Sequence, residues 1–122
     1  MDHAAFQTWL DRYIEAWRSG NPDDIGALFS DDARYHYGPY GEPVTGRDAI
    51  VASWTDDPDE PGSWQAEYRP VAVDGEVAVA TGESRYTEGK TYSNIFVCRF
   101  DADGRCTEFR EWFMGHPANP KE

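Results

Sequence analysis

Cysteine is scarce in this chain: two, Cys98 and Cys106, among 122 residues. They flank a turn-like segment, and no metal-type Cys/His spacing surrounds them. They read as reduced thiols of a cytoplasmic protein rather than as a disulfide. Basic charge is also scarce: 11 Lys and Arg stand against 23 Asp and Glu, a net charge of −12. Such a surface repels phosphate backbones and anionic bilayers, which argues against nucleic-acid and membrane partners. Long apolar runs are missing, so no stretch reads as a membrane span. The start, MDHAAFQTWL, lacks the basic and apolar regions of a signal peptide. There is no P-loop, no GxGxxG, no nucleophile elbow and no internal repeat. No metal or organic cofactor is expected. The acidic segment TDDPDEPG (55–62) carries two prolines and lacks EF-hand spacing, which argues against a hard-cation loop.

What is abundant is aromatic: 15% of residues, with five Trp and seven Tyr. Residues of this kind fill cores, line apolar pockets or anchor interfaces. The length suits one domain, 1–122, with a loose Pro-rich tail from about 115.

Residues 3–18 read as an amphipathic helix, with Phe6, Leu10, Tyr13, Ile14 and Trp17 at spacings mostly of three and four. Ser19-Gly20 ends it. Asn21-Pro22 starts a second helix, with Asn as cap and two Asp at the positive end of the dipole; it is expected to run to about Ser30. Ala33–Tyr37 reads as a short strand, 38–46 as loop, and Arg47–Trp54 as a third helix. From Trp64 the pattern changes. Trp64–Val73, Val77–Thr87, Thr91–Phe100 and Cys106–Met114 read as four consecutive strands. Asp74-Gly75, Glu88-Gly89 and Asp103-Gly104 are the turns between them. Helices followed by antiparallel strands give an α+β fold with the helices packed on one sheet face.

The DDARYHYGP strand, the TGRDAI helix start and the closing hairpin DADGR…REWF occur in that order over nearly the whole chain. Together they resemble the SnoaL-like branch of the NTF2-like superfamily. The resemblance implies an α+β cone: about three N-terminal helices against a strongly curved, mostly antiparallel sheet. It also implies a mostly apolar pocket, often with a homodimer through the outer sheet face. Relatives include ketosteroid isomerases, polyketide cyclases and limonene-type epoxide hydrolases. In the epoxide-hydrolase branch the first strand carries a Tyr and, two residues on, an Asn. Tyr35 matches that pattern and Tyr37 departs from it. A phenol cannot offer an amide's paired donor and acceptor, which argues against epoxide hydrolysis. That branch also closes with an aromatic, an acid and an aromatic facing inward, as Phe109, Glu111 and Phe113 would. Its middle-strand Arg and Asp correspond roughly to Glu83 and Arg85, in reverse order.

The resemblance and the alternation of side chains converge on Glu111. A carboxyl against aromatic walls is desolvated and its pKa rises, which suits a general acid or base. Tyr35 and Tyr37 would join it in catalysis. Asn94, Trp17, Trp54, Phe96, Phe109, Phe113, Glu83 and Arg85 would line or tune the substrate site, while His36 alternates to the other face. Two registers are open for the last hairpin. A four-residue loop pairs Phe100 with Arg105, and so sets Asn94 opposite Glu111, Phe96 opposite Phe109 and Tyr92 opposite Phe113. A three-residue loop with a Gly bulge would instead bring Glu108, Arg110 and Trp112 to the face of Asn94. The expected role is binding of a small, largely apolar molecule, with isomerase-, cyclase- or hydrolase-type proton chemistry. The competing readings are a non-catalytic ligand-binding module and a dimerisation module of the same fold.

Overall fold

The computed structural model describes residues 1–120. Helix α1 spans His3–Ser19. Asp2 caps it, its carboxylate accepting from the Ala5 N–H at 2.8 Å. Gly20 closes it in the left-handed region (φ 65°), a conformation that suits a residue without a Cβ. The buried stripe Phe6, Trp9, Leu10, Tyr13 and Ala16 follows from the three-and-four spacing and faces the sheet. Helix α2, Pro22–Gly26, is capped by Asn21, which accepts from the Asp23 N–H at 2.8 Å.

Here the chain departs from its local signals. The second helix stops at Gly26, not near Ser30, and strand β1 runs over Phe29–His36, starting four residues earlier than expected. Tertiary contacts account for this. The Leu28 carbonyl accepts from the Cys106 N–H at 2.9 Å and from the Trp9 indole at 3.2 Å. Phe29 then pairs with Cys106 across the sheet. Inside the stretch read as loop, Val44–Thr45 forms a two-residue strand β2 against Tyr35 and Arg34. Helix α3 follows at Arg47–Thr55.

Strands β3 (Trp64–Asp74), β4 (Val77–Tyr86), β5 (Thr91–Phe100) and β6 (Cys106–Gly115) form an antiparallel meander. Strand β1 joins β6 in parallel, giving a mixed, curved, unclosed sheet of order β2-β1-β6-β5-β4-β3. Its inner face packs on α1 around Phe96, Cys98, Phe100 and Phe109, all 3% exposed or less. Both thiols are free and buried. No helix among the described residues is long and apolar enough to cross a membrane.

On the inner face β4 presents Ala78, Ala80, Gly82 and Ser84, a small-residue strip that leaves room beneath the helices. At Gly82 the strip has no alternative. A Cβ there would overlap the Glu67 carbonyl oxygen and stand 2.8 Å from the Cα of Tyr68. Tyr68, opposite Gly82, covers the bare backbone with its ring.

The final hairpin has neither of the expected registers. Phe100 pairs with Cys106, which leaves a five-residue loop, Asp101–Arg105. The Asp101 carboxylate organises that loop by accepting from the N–H groups of Asp103 (2.9 Å) and Arg105 (3.0 Å). A bulge at Thr107 then shifts the ladder by one residue. Asn94 therefore lies opposite Phe113, Phe96 opposite Glu111, and Tyr92 opposite Gly115. Beyond the bulge every pair is displaced by two residues from the four-residue-loop register. Because two is the side-chain period, Phe109, Glu111 and Phe113 still point inward.

The tail expected to be loose is fastened as far as Asn119. Its side chain donates to the Thr91 carbonyl and accepts from the Thr91 N–H, both at 2.8 Å, standing in for a neighbouring strand. Lys121 and Glu122 lie outside the described residues.

Candidate active site

Between α1, α3 and the inner sheet face lies a cavity of about 250 Å³, open at one end. Its walls include Trp17 and Tyr13 from α1, Tyr35 from β1 and Tyr37 just after it, Ser53 and Trp54 from α3, and Tyr68, Ser84, Asn94 and Glu111 from the sheet. The loop Asp56–Asp59 forms one lip. A shallower groove runs outward over Asn94, Glu111, Tyr86, Tyr92 and Phe113.

The polar groups form three short chains. In the first, the Ser84 hydroxyl donates to Asn94 Oδ1 at 3.1 Å, and Asn94 Nδ2 donates to Glu111 Oε1 at 3.3 Å. Serine fixes the amide, and the amide holds one oxygen of the carboxylate. In the second, the phenols of Tyr13 and Tyr35 share a buried hydrogen bond of 2.8 Å. Two hydroxyls bring two protons and this bond uses one, so the pair keeps an O–H to offer a ligand. In the third, Ser53 Oγ donates to the Ile50 carbonyl at 2.9 Å, so its 2.8 Å bond to Tyr37 is one in which Tyr37 donates. The lone pairs of Tyr37 stay available.

Burial pushes the Glu111 carboxyl up from the ordinary 4.5 to about 7, and only the Asn94 N–H opposes the shift. The surrounding phenols move up as well. Burial is the largest cause at Tyr13, Tyr35, Tyr37, Tyr68 and Tyr86, and the Glu111 charge adds to it at each. All five therefore remain protonated near neutrality and act as hydrogen-bond donors.

The other residues expected at the site divide. Trp17 and Trp54 are cavity walls; Trp17 stacks on Trp64 at 3.5 Å and donates its indole N–H to Asp59 at 3.1 Å. Phe96 and Phe109 lie deeper, in the core beneath the cavity, where Phe109 stacks on Tyr35 at 4.6 Å. Phe113 is 59% exposed and borders only the outer groove. Glu83 and Arg85 are a correction. They alternate to the outer face, where Arg85 pairs with Glu83 at 2.9 Å and Glu67 at 3.3 Å, away from Glu111. His36 also faces outward, 3.5 Å from Glu108. Burial works against ionisation of Glu108, but Arg110 and Arg34 outweigh it and hold its pKa low.

Sequence reasoning missed Tyr13, Ser53, Tyr68, Ser84, Tyr86 and the acidic lip. Tyr13 did carry a signal: a phenol on the apolar stripe of a buried helix needs a partner for its hydroxyl. Ser84 could be placed only with the β4–β5 register in hand. No group of three or more potential metal ligands converges among the described residues.

The SnoaL-like domain family matches residues 10–109. No curated protein matches the chain significantly. Among solved structures, an NTF-2 like protein of unknown function from Burkholderia xenovorans LB400 superposes with TM-score 0.72 at 20% identity, over 98% of this chain and 87% of its own. A protein named "putative ketosteroid isomerase" from Kribbella flavida DSM 17836 superposes with TM-score 0.73 at 19% identity, over 99% of this chain and 86% of its own. At such identities the likeness speaks for the fold, and the match that covers most of the chain speaks for the family. The chain belongs to the SnoaL-like family, on an NTF2-like α+β cone.

Proposed function

We propose that the cavity binds a small, largely apolar organic molecule and that Glu111 moves a proton on it. One observation carries the reading: a carboxyl with a pKa of about 7, inside an aromatic hollow, held by a single amide and, among the described residues, by no cation. A structural carboxylate would be paired with a base, as Glu108 is with Arg34 at 2.8 Å. The natural chemistry is proton transfer next to a carbonyl. Ionised Glu111 takes the proton from carbon, the electron pair of that C–H bond forms a C=C bond to the carbonyl carbon, and the carbonyl π pair moves onto the oxygen. The O–H kept by the Tyr13–Tyr35 pair stabilises the enolate, and Glu111 then returns the proton to carbon. Tyr37 orients the substrate by its free lone pairs. Asn94 acts through Glu111 and is a positioning residue. One fold relative carries the name "putative ketosteroid isomerase", although its identity of 19% supports the fold alone.

Small cyclic ketones in deuterated water test this. Carbon-bound hydrogen should exchange faster with the protein present, and the rate should rise with pH through about 7 as Glu111 ionises. Glu111→Gln should slow the exchange by about 10²-fold or more. An equal rate in Glu111→Gln would count against the assignment.

The reading includes a homodimer through the outer sheet face. Ile95 and Trp112 lie opposite each other there, 48% and 39% exposed. This face is also the basis for the alternative, a dimerisation module without catalysis. Light scattering should give twice the chain mass, and a monomer at high concentration would remove the dimer from both readings.

A further inference from the structure

The charges around the cavity have one sign. Among the described residues, Asp56, Asp57, Asp59 and Glu111 line it, and no Lys, Arg or His does. Among the described residues the outer groove adds Glu88 and again no base. The rest of the wall is largely aromatic, with Trp17, Trp54 and five tyrosines. Asp57 is held in the left-handed region (φ 60°), the one residue other than glycine among those described with a positive φ. Its segment keeps the acidic lip over the opening at a conformational cost.

An ionised Glu111 in this hollow lacks a countercharge. Its partner is the Asn94 amide, a dipole. An anionic ligand would meet four carboxylates. A neutral ligand would gain hydrogen bonds and burial only. A ligand cation would supply the missing charge in a site partly shielded from water, where the attraction is strongest, and aromatic walls favour it further. The chain's net charge of −12 would also draw it in from solution. We propose that the ligand of this cavity is a small organic cation, an apolar body carrying an amine or quaternary ammonium that sits against Glu111. The proposal rests on Glu111 being the working group of the pocket, and it names the substrate class.

The titratable groups that share the cavity with Glu111 are Tyr13 from α1, Tyr35 from β1, Tyr37 just after it, Tyr68 from β3, Tyr86 from β4 and the three aspartates of the lip. From α3 come Ser53 and Trp54, which do not titrate. Burial keeps the phenols protonated, and Glu111 is the carboxyl that changes charge near 7. Binding of the cation should therefore strengthen as pH rises through that value.

The test uses three probes of similar size, followed by the fluorescence of Trp17 and Trp54: phenyltrimethylammonium, its neutral isostere tert-butylbenzene, and benzoate. At about pH 8.5 the cation should bind about tenfold more tightly than tert-butylbenzene, with benzoate weakest. At about pH 5.5, and in Glu111→Gln at either pH, the preference should fall to about threefold or less. Circular dichroism of the variant confirms that it is folded. Equal or tighter binding of tert-butylbenzene or benzoate at the higher pH would overturn the proposal. So would a cation preference that stays above about threefold in Glu111→Gln, or no binding of the cation at all. If the cation fails while ketone exchange still depends on Glu111, the catalytic reading stands without this ligand class. If the cation preference holds and no exchange is seen, the ligand class stands and the catalytic reading falls.

Discussion

Glu111→Gln will raise the stability of this protein at about pH 8.5 and leave it nearly unchanged at about pH 4. The carboxyl titrates near 7 in the folded chain and near its ordinary 4.5 when unfolded. Between those values the folded state binds more protons, so stability falls as pH rises. The contribution of the neutral acid is fully present below about 4.5 and is gone once pH has passed the folded value of about 7. The full linkage would be about 3 kcal/mol. Because the cavity opens to solvent, about 1–2 kcal/mol is expected, or roughly 4–8 °C in Tm. Glutamine has the same shape, and its amide oxygen can still accept from Asn94, so no packing is lost. Glu108 has the opposite linkage, since its lowered pKa stabilises above the ordinary carboxylate range and the benefit is lost on acidification. Comparing wild type with the variant at each pH cancels that term. A variant that melts lower than wild type at both pH values would make Glu111 a structural residue. The expected combination is higher stability with lost proton transfer, the mark of a group kept for function at a cost to the fold.

Gly82→Ala should be the most damaging small substitution in the sheet. The added methyl meets the Glu67 carbonyl oxygen and stands 2.5 Å from Cδ1 of Tyr68. Neither obstacle is the free end of a flexible side chain. Strand β3 must move away from β4, which lengthens ladder hydrogen bonds and pulls Tyr68 off the strand. We expect a loss of about 3 kcal/mol, or roughly 10–15 °C in Tm for a domain of this size. Tyr68 and Ser84 both line the cavity, so ligand binding should weaken even at temperatures where the variant stays folded. A loss below about 1 kcal/mol would mean that the β3–β4 pair yields more easily than its geometry indicates.

Much of this architecture can be read locally. The stripe of α1 needs only its spacing, the meander only alternation and Gly-containing turns. The inward direction of Glu111 is more instructive. The expected four-residue turn does not exist, yet the face is right, because a five-residue loop and a bulge at Thr107 together shift the register by two. Parity is robust to such compensation; the identity of the opposite residue is not, and Glu111 faces Phe96 rather than Asn94. What sequence reasoning could not reach depends on distant contacts. Strand β1 begins early because Trp9 and Cys106, nineteen or more positions away in the chain, both donate to the Leu28 carbonyl. The family resemblance implies Glu83 and Arg85 near Glu111, as rough matches of a middle-strand Arg and Asp, but their face is set by the pairing of β4 with β5. The lip aspartates read as an acidic loop without cation-binding spacing, and only the closure of that loop over α1, through Asp59 and Trp17, brings them to the cavity.

The account depends on a carboxyl inside the cone that is neutral in weak acid and charged in weak base. Carbon-13 labelling of the glutamate side chains, with the Glu111 resonance assigned by its absence in Glu111→Gln, allows its titration to be followed directly. The account predicts a midpoint near 7. A midpoint near the ordinary 4.5 would mean that water or an unrecognised cation already stabilises the charge, and would contradict it.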